Sequence, residues 1–326
     1  MTDFPAKKIL ITGGTGSFGK ALVKRLLNAH PDIQSLTIFS RDEYKQYQMR
    51  RQYPSEKFSR LHFILGDIRD QSAFTDAVIG KDIIIHAAAL KQNPTGERYP
   101  DEFYKTNVEG TRNLIKSAVA SNVPRILALS TDKAVYPTSA YGASKLCAEK
   151  LLMAAQERSD FSQFSVLRLG NLLGSRASVV PTLLEDENQQ MVSITHPDMT
   201  RFSLSVAESV DFCLKAQKKM VGGEIFVPKM SAYRLKDLVH VLKSKAEIRL
   251  TGPRAAEKMH ELALSAEEAR IGFSDQDFFI VCPVSSSFKH WKKRGAPLTP
   301  HFTYSSNQSD LLLSTGELRK LIDSTK

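Results

Sequence analysis

The chain is 326 residues long, 42% hydrophobic and 25% charged, with 17 Gly and 14 Pro. That length exceeds what one ordinary core holds and the composition sits near the globular average, so two lobes are expected, and disorder or a fibrous repeat is excluded. The longest apolar run, around Ile83 to Ala89, stops far short of the ~20 residues that span a bilayer, and the N-terminus lacks a signal-peptide hydrophobic region. Together with three unclustered cysteines, Cys147, Cys213 and Cys282, this sets the expectation of a reduced, cytoplasmic protein with no membrane partner.

The net charge of +10 is compatible with nucleic acid, an anionic surface or phosphorylated ligands. The basic residues are spread along the chain. Their densest run, His290-Trp291-Lys292-Lys293-Arg294, holds one aromatic and reads as a solvated surface loop, so no nucleic-acid partner is expected.

In chain order, 7–12 is a short β-branched run ending at glycines, and 20–29 repeats apolar residues at helical spacing through Ala21, Leu22, Leu26 and Leu27. Further buried strands are expected at 35–39, 61–65, 82–87, 125–130 and 165–169, with helices at 43–52, 71–78, 99–121 and 140–157 between them. Strands that alternate with helices and lack polar alternation imply an α/β fold: a doubly wound, parallel, Rossmann-like sheet over 1–170. Beyond Asn171 the apolar runs shorten and Pro and Ser increase. A second, smaller α/β lobe over 171–326 is expected, with helices at 206–219 and 235–245 and with strands such as 224–227 able to return to the large sheet.

Thr12-Gly13-Gly14-Thr15-Gly16-Ser17-Phe18-Gly19 lies between the first strand and the first helix. In such a turn the first glycine permits a tight reversal, the second lets backbone approach a pyrophosphate, and the third lets helix pack on strand; the helix N-terminus then faces the phosphates. About 20 residues further on, where an acidic residue would hold a ribose 2′-hydroxyl, stand Ser40 and Arg41. A hydroxyl and a guanidinium suit a 2′-phosphate, which favours NADP, while Asp42 suits the cap of the next helix. Asp67 and Ile68 at the third strand end suit the adenine, and Ala87, Ala88 and Ala89 at the fourth keep side chains small where backbone passes a cofactor.

Tyr141 and Lys145 stand at i and i+4 on one helical face. Lys145 can lower the phenol's pKa so that Tyr141 serves as base toward a substrate alcohol while a nicotinamide takes hydride. No His/Cys/Asp cluster has ligand spacing, so no metal is expected, and His86 and His196 read as packing or loop residues.

With these motifs in place, the chain resembles the extended short-chain dehydrogenases/reductases over nearly its whole length. Thr131-Asp132-Lys133 resembles the UDP-N-acetylglucosamine 4,6-dehydratases, including the inverting type of the pseudaminic acid pathway. Ala89-Leu90-Lys91, Lys105-Thr106-Asn107, Gly170-Asn171, Gly174-Ser175-Arg176 and His196-Pro197-Asp198-Met199-Thr200-Arg201 agree with that subfamily. Gln92-Asn93 and Arg254-Ala255-Ala256-Glu257-Lys258 depart from its usual pattern. The resemblance implies that Tyr141 is the base for C4 oxidation, Thr131 orients that alcohol, Lys145 holds the nicotinamide ribose, Asp132 is the acid at C6 and Lys133 the base at C5. It implies that Lys91 meets both cofactor and substrate, and that Lys133, Asn171, Arg176, Ser178, Val179, Thr195, Arg201, Arg254 and Glu257 contact a nucleotide sugar such as UDP-N-acetylglucosamine. A homo-oligomer serving bacterial surface-glycan or nonulosonic acid synthesis goes with this resemblance. A nucleotide-sugar 4-epimerase or 4-ketoreductase would use Thr131, Tyr141 and Lys145 but has no work for Asp132 and Lys133. A non-catalytic dinucleotide-sensing scaffold needs neither the Tyr/Lys pair nor the Asp/Lys pair.

Overall fold

The computed structural model describes residues 6–175, Leu183 and residues 191–324. The first half alternates as its pattern requires: β1 (Lys8–Thr12), α1 (Ser17–Ala29), β2 (Ser35–Ser40), α2 (Glu43–Gln52), β3 (Leu61–Leu65), α3 (Gln71–Val78) and β4 (Ile83–His86). Short helices α4 (Asn93–Arg98) and α5 (Pro100–Phe103) lead into a π-helical turn, Tyr104–Glu109, and α6 (Gly110–Ala120). Then come β5 (Arg125–Thr131), a 3₁₀ turn at Asp132–Ala134, α7 (Ala140–Glu157) and β6 (Gln163–Leu169). Helix starts follow side-chain caps: Asp42 accepts from the Lys45 amide, Asp70 from those of Ser72 and Ala73, and Ser139 from that of Gly142.

The single helix expected over 99–121 is interrupted by the π turn. Asn107 within it gives its carboxamide to both the N–H and the C=O of Leu90, at 2.9 Å each, and to Ser144 Oγ at 2.9 Å. A residue in this widened turn thereby ties the loop after β4 to α7, and such turns often mark functional sites.

The second half adds β7 (Asn171–Leu173), β8 (Met191–Ile194), β9 (Thr200–Ser205), α8 (Val206–Lys219), β10 (Ile225–Pro228), β11 (Ser231–Arg234), α9 (Leu235–Leu242) and β12 (Glu247–Leu250). It ends with β13 (Leu262–Leu264), α10 (Ala266–Ala269), β14 (Gly272–Ser274), β15 (Phe278–Val281), α11 (Ser285–Trp291), β16 (Ala296–Pro297), β17 (Tyr304–Ser305) and α12 (Thr315–Asp323).

The large sheet has ten strands in the order β16-β14-β15-β10-β6-β5-β4-β1-β2-β3. From β3 to β10 every pairing is parallel, and β15, β14 and β16 close the far edge antiparallel. β1 lies between β2 and β4, with Leu10 opposite Thr37 on one side and Ile84 on the other, so the strand order reverses there. In an open parallel sheet that reversal leaves a crevice at the carboxyl ends of the strands, where ligands bind. Strand 225–228 returns to the large sheet beside β6. β7, β9 and β11 form a separate three-stranded sheet, and β8–β12 and β13–β17 form two-stranded pairs.

The basic run at 290–294 is a solvated turn at Lys292, Lys293 and Arg294, as its composition suggests, but not at Trp291. Trp291 ends α11 with 5% exposure, and its indole N–H donates to Glu224 Oε1 at 3.3 Å; Lys292, Lys293 and Arg294 stay exposed or half-exposed. Charge outweighed one aromatic in the sequence pattern, whereas in the fold the indole's apolar area decides its place.

Candidate active site

The crevice at the strand ends is a cavity of about 650 Å³. Its floor is the glycine turn. Gly13 has φ 68°, and a Cβ there would sit 2.8 Å from the Ala88 nitrogen; a Cβ on Gly19 would sit 2.5 Å from the Gly14 Cα. Both positions therefore require glycine, the first for the turn and the second for packing α1 against the loop. Gly16 caps α1 without a side chain, so Thr15, Ser17 and Phe18 line the cavity around a bare helix start. This backbone cradle fits a dinucleotide pyrophosphate.

At the β2 end of the cavity, Gln46 donates to the Ser40 carbonyl, the Ser40 hydroxyl and the Ile64 carbonyl, fixing the end of that strand. Arg41 is half-exposed with its guanidinium 3.6 Å from Asp67. Burial pushes the Asp67 carboxyl up, but hydrogen bonds and charge from Arg69, with the more distant Arg41, outweigh it and hold that group below the usual carboxylate range. Lys45, which the sequence did not single out, lines the same wall and pairs with Asp42. Ile68 and Ala87 to Ala89 complete this half, and Lys91 donates to Ser175 Oγ at 3.4 Å across the cavity mouth.

At the β5 end, Thr131, Lys133, Tyr141, Lys145 and Asn171 line the cavity, while Asp132 is wholly buried behind it. The bend at the end of β5 brings the first three together. Thr131 Oγ1 donates to Asp132 Oδ1 at 3.0 Å and hydrogen-bonds the Tyr141 phenol. Lys145 donates to the Leu129 carbonyl at 2.7 Å, and burial lowers its pKa to about 8. Burial raises the Tyr141 phenol; the charge that works against this is Lys133, helped by the Thr131 hydrogen bond.

Lys133 Nζ has three acceptors: Asn171 Oδ1 at 2.8 Å, Asp132 Oδ1 at 3.0 Å and Glu261 Oε1 at 3.3 Å. Burial alone would lower its pKa, but the two carboxylates raise it above the ordinary lysine value. Asp132 is raised: burial dominates, Lys133 opposes it, and Glu261 adds to it. Both Thr131 and Lys133 donate to Oδ1, and Oδ2 is buried with no hydrogen-bond partner. Burial of the carboxyl, with one oxygen left without a donor, favours its neutral form.

Arg201 and Glu257 line a smaller adjoining cavity of about 130 Å³, which shares Lys133 with the large one and includes Lys258 and Glu261. Thr195 is buried with its hydroxyl toward Met199 Sδ, and Arg254 is exposed; neither lines either cavity. Arg176, Ser178 and Val179 lie outside the described residues. The sequence reading also passed over Glu261 and Tyr233. Tyr233 is buried with its phenol on Asn171. Neither has a spacing signal, because β9, β11 and the segment before β13 meet only in the folded chain.

Among the described residues no group of His, Cys, Asp and Glu could hold a metal ion, and no helix is long and apolar enough to cross a membrane. A family profile described as polysaccharide biosynthesis protein matches residues 9–283. Over 99% of both chains, the protein is 37% identical to a Campylobacter jejuni protein named UDP-N-acetylglucosamine 4,6-dehydratase (inverting). It is 43% identical to a Rickettsia bellii protein named UDP-glucose 4-epimerase, over 81% of this chain and 80% of the other. The solved structure of Pen from Bacillus thuringiensis superposes over 99% of both chains with TM-score 0.90 and 31% identity. The glycine cradle, the Tyr141–Lys145 helix and these likenesses converge: the chain belongs to the polysaccharide biosynthesis protein family, built on the extended short-chain dehydrogenase/reductase fold.

Proposed function

We propose that the protein catalyses the NADP-dependent 4,6-dehydration of UDP-N-acetylglucosamine to a UDP-4-keto-6-deoxy sugar, with inversion at C5. The observation that carries this reading is the Asp132–Lys133 pair beside Tyr141, an acid and a nitrogen base adjoining an alcohol-oxidising group. The name of the full-length Campylobacter relative supports both the substrate and the inversion.

Gly13, Gly16, Gly19 and the start of α1 would hold the pyrophosphate, and Ser40 with Arg41 a ribose 2′-phosphate; no carboxylate stands at the end of β2 before Asp42, which is engaged by the Lys45 amide and ammonium. The dinucleotide supplies the hydride acceptor for C4 and the donor for C6. Tyr141 takes the C4 hydroxyl proton, with Thr131 orienting that alcohol. A C4 ketone makes the C5 hydrogen acidic. Lys133 removes it, Asp132 gives a proton to the departing C6 hydroxyl, which leaves as water, and C5 takes a solvent-derived proton on the face opposite the one it lost once C6 has received hydride. Before acting as base, Lys133 must release one of the protons that its acceptors favour.

A second reading, 4-epimerisation, is favoured by the name of the Rickettsia relative. It leaves Asp132 and Lys133 without a task. Incubation of the purified protein with UDP-N-acetylglucosamine in D₂O, followed by NMR, separates the two. A C6 methyl with deuterium at C5 and an inverted centre is expected. An unlabelled C4 epimer would overturn dehydration.

A further inference from the structure

The base proposed for C5 is surrounded by more negative charge than a lysine base should tolerate, and the surplus comes from one residue outside the Asp/Lys pair. Glu261 is 3% exposed. Its backbone is pinned on both sides by Ser306, whose Oγ accepts from the Glu261 N–H and whose own N–H donates to the Glu261 carbonyl, each at 2.9 Å. Its Oε1 faces Lys133 Nζ at 3.3 Å and Arg201 Nε at 3.8 Å, and its Oε2, with no hydrogen-bond partner, lies 3.9 Å from Lys258 Nζ. Lys258 is itself anchored to the Val135 carbonyl beside the 3₁₀ turn.

We propose that Glu261 is a positioning residue for dehydration: a fixed anion, held by Arg201 and Lys258, that sets the pH window in which Asp132 keeps its proton and Lys133 can release one. This rests on the dehydratase reading above. Two carboxylates flank one ammonium, and their surroundings separate them. Burial pushes Glu261 up, but Lys133, Arg201 and Lys258 hold it below the usual carboxylate range, whereas Asp132, whose main cation is Lys133 with Lys258 as a further one, is raised by burial and by Glu261. Pairs of titratable groups driven apart in this way divide into acid and spectator. The surroundings thus favour the charged form of Glu261 and the neutral form of Asp132. The other ionisable groups facing this cluster are Tyr141 from α7, Tyr233 from β11, and Glu257 with Lys258 from the segment before β13.

The sign of the effect is fixed. Glu261→Gln removes a negative charge near both groups and leaves Arg201 and Lys258 uncompensated. Both changes lower the pKa of Asp132 and of Lys133. Activity needs Lys133 able to lose a proton, which sets the acid limb, and Asp132 protonated, which sets the basic limb, so both limbs of the kcat profile should move to lower pH by about 1 unit or more. A residue that merely braces the fold would lower kcat at every pH and leave the limbs in place.

The test compares pH profiles of UDP-N-acetylglucosamine dehydration for wild type, Glu261→Gln and Glu261→Asp. It adds ¹³C NMR titration of the Asp132 carboxyl in ligand-free protein, its signal assigned by loss in Asp132→Asn. Expected are an acid-ward shift of both limbs and of the Asp132 midpoint in Glu261→Gln, and limbs near wild type in Glu261→Asp, which keeps the charge. Unmoved limbs or an unmoved Asp132 midpoint in Glu261→Gln would overturn the proposal. Should Glu261→Gln fail to fold, limbs displaced in Glu261→Asp would overturn it equally. Wild-type protein that does not dehydrate the sugar would refute the functional reading instead, and the carboxyl titration would still decide whether Glu261 controls Asp132.

Discussion

Nζ of Lys133 donates to Oδ1 of Asn171 at 2.8 Å, joining the turn after β5 to the first strand of the separate three-stranded sheet. Asn171 is the one acceptor of the three around Lys133 that is not a carboxyl group, and it orients the amine without adding a titratable group. Asn171→Asp keeps the shape and adds a third carboxylate. The pKa of Lys133 should then rise further, so that the amine is free only at higher pH. The acid limb of the kcat profile is expected to move up by about 1 unit or more, opposite to the Glu261→Gln shift. A limb that stays in place would show that Lys133 is not the titrating base.

Arg41→Asp should weaken NADP far more than NAD, because it puts a like charge where a 2′-phosphate would sit. Charge-assisted hydrogen bonds are worth about 1.5–3 kcal/mol, so the NADP dissociation constant should rise by roughly 10- to 100-fold. Lys45 lines the same wall and moderates the loss. Equal weakening of both dinucleotides in a calorimetric titration would remove the 2′-phosphate from this position.

Much of this site is local in sequence and was legible there. The glycine turn, Ser40-Arg41 and the Tyr141–Lys145 helix each depend on spacing within one strand–loop–helix unit, and each lines the same crevice. The Asp132–Lys133 pair was visible as a pair, but its electrostatics were not. In the fold Lys145 donates to the Leu129 carbonyl, and the carboxyl groups of Asp132 and Glu261 face Lys133. Glu261 reaches Lys133 only because β13 is placed by a two-residue strand, β17, more than 40 residues further along. The same limit hid the antiparallel edge of the large sheet: β14, β15 and β16 are two to four residues long, too short for a period-2 pattern to declare itself.

Arg168, wholly buried on β6, bridges Glu149 of α7 at 2.7 Å and Glu268 of α10 at 2.9 Å, and also donates to the Ala263 carbonyl at 2.8 Å. Arg168→Met leaves two carboxylates without their cation, and breaking such a buried pair costs about 3–5 kcal/mol. A large drop in the urea midpoint is expected. Burial pushes Glu268 up, but Arg168 outweighs this and holds the carboxyl below its usual range. Wild-type stability from this pairing is present above the ordinary glutamate pKa and is lost as pH falls through the depressed value. The variant should lack that acid-side loss. Unchanged stability would mean that the triad orders the site without stabilising the fold.

Lys133→Met separates the two halves of the proposed chemistry. Methionine keeps much of the lysine stem's volume and removes the amine, so elimination should fall by roughly 10²–10⁴-fold while the oxidation at C4, which depends on Tyr141, Thr131 and Lys145, persists. A single turnover with UDP-N-acetylglucosamine should therefore show absorbance of reduced cofactor that rises and does not decay, with no 6-deoxy product. Tyr141→Phe should show neither. The loss must appear in kcat more than in sugar binding, because Asn171, Arg201 and Lys91 remain in place. If Lys133→Met dehydrated the sugar at a near-normal rate with solvent deuterium at C5, the base would lie elsewhere. If it lost the sugar altogether, Lys133 would be a binding group. In the first case the three-acceptor site around its ammonium would serve the structure, and in the second it would serve substrate binding, rather than the elimination step.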